Sequence, residues 1–193
     1  MKTITYEQIK GPDPCLDPIW YGIPENYKAS LKDFVIEYRD KAKKIVIVAV
    51  LNKEFFNNRD LTLFGVWAAS HVEKSMRDAR STNLLDIVEQ YAFGEVDKAV
   101  LKQAVDEAKD TDLSSFARSA ALAAVLDAPT AAAFARWAIR EAAKDAEAGA
   151  ARAAEAQALN AQINKLLKMI DKPNGAWYQL RVKSTKGVKN EQE

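Results

Sequence analysis

The chain has 193 residues, 48% hydrophobic and 28% charged, the balance of an ordinary globular protein of one domain or at most two small ones. Its 28 Lys and Arg against 27 Asp and Glu leave a net charge of +1, which does not point to a nucleic-acid or acidic-membrane binder. One Cys excludes an internal disulfide framework and a Cys-rich zinc site, and one His leaves any catalytic triad or multi-histidine metal site resting on a single residue.

The N-terminus has no apolar core of signal-peptide length. The longest apolar run, residues 45–51, falls far short of the ~20 residues of a membrane-spanning helix. With a lone thiol, this reads as a protein of the reducing cytoplasm.

In chain order, Thr5 and Gln8 have capping-box spacing, which predicts one helical turn at 6–10 stopped by Gly11. Pro12, Pro14, Pro18 and Pro24 then predict an extended arm, because proline lacks a donor and restricts the residue before it. The arm carries Leu16, Ile19, Trp20, Tyr21 and Ile23, so it is expected to lie along the body. Ser30 is a predicted N-cap, and Leu31, Phe34, Val35 and Tyr38 share one helix face. The β-branched run 45–51 is read as a buried helix, since no partner strand is near.

Asn57, Asn58 and Asp60 mark a turn and cap before a predicted helix at 61–79, with Leu61, Phe64, Ala68, His71, Val72 and Met76 on one face. Thr82 and Asn83 are expected to open the next helix, with Leu84, Leu85, Val88 and Tyr91 inward and Gly94 at its end. Asp97 caps a helix with the stripe Val100, Leu101, Ala104, Val105 and Ala108, broken at Thr111 and Asp112. Residues 113–126 are helical again, and Pro129 suits a first turn.

Nearly half of residues 117–161 are alanine, the best helix former and the smallest packing unit. The expected anchors there are Phe116, Leu122, Val125, Leu126, Phe134, Trp137, Ile139, Leu159, Ile163, Leu166, Leu167 and Ile170, with Gly149 marking a bend. Lys172, Pro173, Asn174 and Gly175 end the helical body. Residues 177–183 alternate with a period of two, a short strand pattern, and residues 172–193 carry five basic and two acidic groups.

Chemical constellations are sparse. His71 has Lys74 and Ser75 at i+3 and i+4, which cannot complete a metal site, so it reads as a core or partly buried histidine. Asp13 and Asp17 would raise the pKa of Cys15, which reads as a small buried apolar group. Asp106, Glu107, Asp110 and Asp112 read as a solvated turn neutralised by Lys102 and Lys109. Arg39, Lys41, Lys43 and Lys44 read as an exposed helix face. Trp177 and Tyr178 with Arg181 and Lys183 are the most interface-like group, because Trp, Tyr and Arg are enriched at binding hot spots. Trp20 and Tyr21 read as structural.

Residues 6–18, 63–73 and 91–96, followed by the alanine-rich region ending at 159–170, together resemble the alanine-rich helical immunity-protein group of bacteria and their phages. The likeness spans roughly residues 3–170, although the group's near-repetitive helices have decayed here and the tail after Lys172 is extra. It implies an all-α fold and a protein-binding role, and it carries no catalytic residues across.

The resulting expectation is an all-α array or bundle of about seven helices over 30–171, with a Pro-rich arm (1–29) packed on it and a basic extension (172–193). The expected function is non-enzymatic, with no cofactor and no metal: binding and neutralising another protein, as an immunity protein against a toxin or a phage-encoded inhibitor of a host defence protein. The alternative is a self-assembling scaffold that uses alanine-rich helix faces. The partner-binding candidates are Trp177, Tyr178, Arg181 and Lys183.

Overall fold

The computed structural model describes residues 2–10, 17–73, 76, 78–109, 116–142 and 148–179. Among them the fold is all-α. Nine α-helices form it: α1 (Tyr6–Lys10), α2 (Leu31–Tyr38), α3 (Lys43–Val50), α4 (Asn58–Ser70), α5 (Ala79–Phe93), α6 (Lys98–Lys109), α7 (Phe116–Leu126), α8 (Ala128–Ala142) and α9 (Ala148–Asp171). This agrees with the expected array of about seven helices, with the predicted turn at 6–10 as the short α1. No helix among the described residues is long and apolar enough to cross a membrane.

The predicted caps account for most boundaries. The Thr5 amide donates to Gln8 Oε1 at 3.0 Å, opening α1. Ser30 Oγ accepts from the Asp33 amide at 3.1 Å, Asn57 Oδ1 from Asp60 at 2.8 Å and Asp97 Oδ1 from Ala99 at 2.8 Å. Gly94 ends α5 at φ 75°, a left-handed position that glycine takes without Cβ strain. Residues 43–50 are helical, as read from their sequence, and bury Ile45, Val46, Ile47, Ala49 and Val50.

Other expectations are corrected. The helix predicted over 61–79 ends at Ser70, and α5 starts at Ala79 rather than Thr82, because Asp78 accepts from the Arg80 amide at 2.8 Å and caps it. The strand β1 (Thr3–Thr5) pairs antiparallel with β2 (Lys28–Ser30), in the register Ile4 to Ala29. The arm is therefore clipped to itself, not simply extended. Tyr91, Val100 and Trp137, expected inward, are exposed. The break at Thr111 and Asp112, and Leu16 and Cys15, lie outside the described residues.

Helix α4 is central, packing on α5, α7 and α8. Gly65 of α4 lies against Ala124 of α7, and Ala68, Ala69, Ala120 and Ala131 of these helices are buried. Small side chains bring the axes together at the cost of little apolar area per residue. The bulkier core comes from the N-terminal half, where Ile4, Ile23, Phe34 and Ile45 are fully buried. Helix α9 runs back along α8, α3 and α2. The buried Arg136 of α8 donates to Gln162 Oε1 of α9 at 2.6 Å, and Gln162 Nε2 donates to the Ala132 carbonyl at 3.1 Å.

Two outcomes follow. A Cβ added at Gly65 would stand 3.0 Å from the backbone Cα of Ala124. Gly65→Ala should therefore lower stability by about 1–3 kcal/mol despite alanine's better helix propensity, read by urea unfolding, and Gly65→Val should cost more. The second concerns alkali. Burial first, then the hydrogen bond to Glu37, raises the Tyr27 phenol above its usual 10.0, and burial likewise raises Tyr38 and Tyr6. The folded state thus holds these protons longer than the unfolded chain, so stability is intact below about pH 10 and falls as pH rises beyond it. Tyr27→Phe should show a shallower decline of Tm above that pH than the parent, and equal slopes would contradict the assignment.

Candidate interaction surface

The C-terminal end of the body is built around one carboxylate. Asp60 sits in the first turn of α4 and is 1% exposed. After α9, Asn174 and Gly175 take left-handed φ values of 64° and 77°, which turns both amides toward it. Asp60 accepts from the Asn174 amide at 3.0 Å, the Gly175 amide at 2.7 Å and Trp177 Nε1 at 2.7 Å. Asn57 Nδ2 adds a bond to Asn174 Oδ1 at 3.0 Å. Trp177 is buried, its ring 6.5 Å from that of Phe64, and Tyr178 is half-buried against Phe93.

This arrangement places Trp177, a partner-binding candidate in the sequence, in the interior. Trp177 fills the core beside α4, and residues 177–179 form no strand. Arg181 and Lys183 lie outside the described residues. The half-buried Lys165 Nζ stands 5.2, 5.0 and 5.8 Å from the ring centres of Trp67, Trp177 and Tyr178. Burial, and then the neighbouring charge of Lys168, lowers its pKa, while the ring faces attract the ammonium.

His71 is exposed at the C-terminus of α4, not on its buried face. Its ring lies 4.5 Å from that of Trp67, and its Nδ1 is 2.8 Å from the Trp67 carbonyl. Asp106 pairs with Lys109 at 3.3 Å, and Glu107 accepts from Gln103 at 2.8 Å. Asp110, Asp112 and Cys15 lie outside the described residues. Among the described residues, no group of three or more His, Cys, Asp or Glu is placed to hold a metal ion.

The exposed apolar groups lie elsewhere. A 3-10 turn at Pro18–Tyr21 presents Ile19 at 53% and Trp20 at 68% exposure. Asp17 accepts from the Ile19 amide at 3.0 Å, and Gly22 closes the turn in the left-handed region. The Tyr6 hydroxyl donates to Asp17 at 3.3 Å, and the Ile23 amide donates to the Pro18 carbonyl at 3.2 Å. The turn is therefore held from both ends while its two apolar side chains face solvent. Sequence reasoning took Trp20 as structural; the signal it passed over was Asp17 and Pro18 ahead of the pair with Gly22 behind, a capped turn that cannot roll inward.

Beside this turn is an open groove of about 230 Å³, lined by Tyr21, Asp40, Lys41, Ala42, Lys43 and Lys44. Asp40 lies 3.6 Å from Arg39 and 3.8 Å from Lys43, and Lys44 lies 3.7 Å from Glu155. The lining thus carries three lysines and one carboxylate, and Glu155 beside Lys44 also lies 3.6 Å from Arg140. In comparisons with known proteins, no family model, curated protein or solved structure matches the chain.

Asp60→Ala leaves three donors without their acceptor and should cost about 2–4 kcal/mol. Truncation after Lys172 removes Trp177 from the core and should lower Tm by a similar or larger amount. Thermal melting of both variants is the check, and an unchanged Tm would mean that the C-terminal turn does not hold the body.

Proposed function

We propose that this protein binds and neutralises another protein without catalysing a reaction, as an immunity protein or as a phage-encoded inhibitor of a host defence protein. The observation that carries the reading is the Ile19–Trp20 pair, held on a capped turn and left in water. An exposed Trp costs solubility and contributes nothing to folding. On a rigid turn it loses little entropy when it enters a partner's pocket, the usual property of a binding hot spot. The resemblance of residues 6–18, 63–73 and 91–96 to the immunity-protein group supports the same role.

A second reading, self-assembly through alanine-rich helix faces, is favoured by one observation. Trp137 on α8 is 45% exposed, on a helix whose buried face is mostly alanine. Light scattering of the purified chain separates the two: large homo-oligomers that disperse in Trp137→Ala would support the scaffold, and a monomer or dimer would remove it.

The test of neutralisation is functional. Genes adjacent to this one, with proteins captured from a host lysate on the immobilised chain, supply the candidate partner. The partner's own activity is then titrated with the purified chain. The expected result is stoichiometric loss of that activity, with Trp20→Ala weaker by at least about tenfold at unchanged Tm. A partner that is captured but fully active at saturation would overturn the reading.

A further inference from the structure

The Pro18–Tyr21 turn and the start of α3 meet at the groove lined by Tyr21 and Asp40 to Lys44, and the features gathered there run against what folding favours. Ile19 and Trp20 are solvated on the same turn as Tyr21, which lines the groove, although both would gain from burial. Lys43 and Lys44 occupy the first turn of α3, the end of a helix where its dipole disfavours cations. The N-cap of that helix is Ala42, which offers no side-chain acceptor to the first amides. No acidic residue stands in that first turn, and the carboxylates near these lysines are Asp40, 3.8 Å from Lys43, and Glu155, 3.7 Å from Lys44. Each departure alone is ordinary. Their meeting at one concave surface is accounted for by an occupant that brings negative charge and apolar groups together.

We infer that this groove docks an acidic segment of a protein partner, with Ile19 and Trp20 taking its apolar side chains and Lys41, Lys43 and Lys44 its carboxylates. The inference rests on the protein-binding reading above and states the chemistry of the partner. Two features favour a peptide over a nucleic acid. The net charge of +1 gives the chain no broad cationic surface for a phosphate backbone. Asp40 inside the groove and Glu155 beside Lys44 would repel closely spaced phosphates, while a segment with spaced carboxylates can avoid them. Lys43 is only loosely engaged, at 3.8 Å from Asp40, and can turn to a partner carboxylate at little cost.

The experiment uses the full chain and three fluorescein-labelled probes read by anisotropy: a short peptide of glutamate and leucine, its lysine and leucine counterpart, and a single-stranded oligonucleotide of similar length. The acidic peptide should bind tightest, and its affinity should fall as salt is raised. Lys41→Glu should weaken it by about tenfold, and so should Trp20→Ala, with Tm unchanged because both side chains are exposed. The groove is refuted if the acidic peptide binds no tighter than its basic counterpart, if it is insensitive to salt and to both variants, or if the oligonucleotide is preferred. The salt series on the parent chain keeps the test decisive even if a variant is unstable. Neutralisation of a partner is read without reference to this groove, so failure of the peptide removes the docking site alone.

Discussion

A carboxylate buried in a protein interior is costly unless its oxygens are hydrogen-bonded, and Asp60 is the point at which this fold meets that constraint. Three N–H donors from the C-terminal turn reach it at 2.7 to 3.0 Å. Its place in the first turn of α4 adds the favourable end of the helix dipole. The satisfied charge determines where Trp177 lies, and Trp177 with Tyr178 and Trp67 encloses Lys165 of α9. One buried charge therefore aligns residues 174–177, α9 and the central helix α4.

From there α9 acts as the strut of the molecule. Its Gln162 bridges to the buried Arg136 of α8. Burial lowers the Arg136 pKa, and the nearby Glu155 offsets part of that effect. Glu155 also lies near Arg140 and Lys44, and Asp171 pairs with Lys32 of α2 at 2.7 Å. These exposed pairs each contribute little energy. Their value is positional, since they set the start of α3, and with it the basic groove, against the helical body.

The alanine-rich half and the bulky N-terminal half solve packing differently. Helices α4, α7 and α8 gain close approach from Gly65 and alanine, and so need few large side chains between them. Ile19, Trp20 and Trp137 are among the large apolar groups left in water.

The sequence by itself determined the all-α class, the caps at Ser30, Asn57, Asp97 and Gly94, and the end of the helical body at Lys172. These depend on residues within one turn of each other, and local chemistry needs no tertiary partner. Only the tertiary structure decided the fate of the tryptophans. Trp177, read as a contact surface, is drawn into the core by Asp60, which lies 117 residues away in the chain. Trp20, read as structural, is 68% exposed on a turn capped by Asp17 and Gly22 whose Pro18 is buried in its place. The exposed His71, expected inside, follows from α4 ending at Ser70, where Asp78 begins the next helix. In each case the side chain's own chemistry suits burial and exposure equally. The outcome depends on which polar group, brought near by folding, offers its N–H or C=O a partner, and no short-range pattern records that.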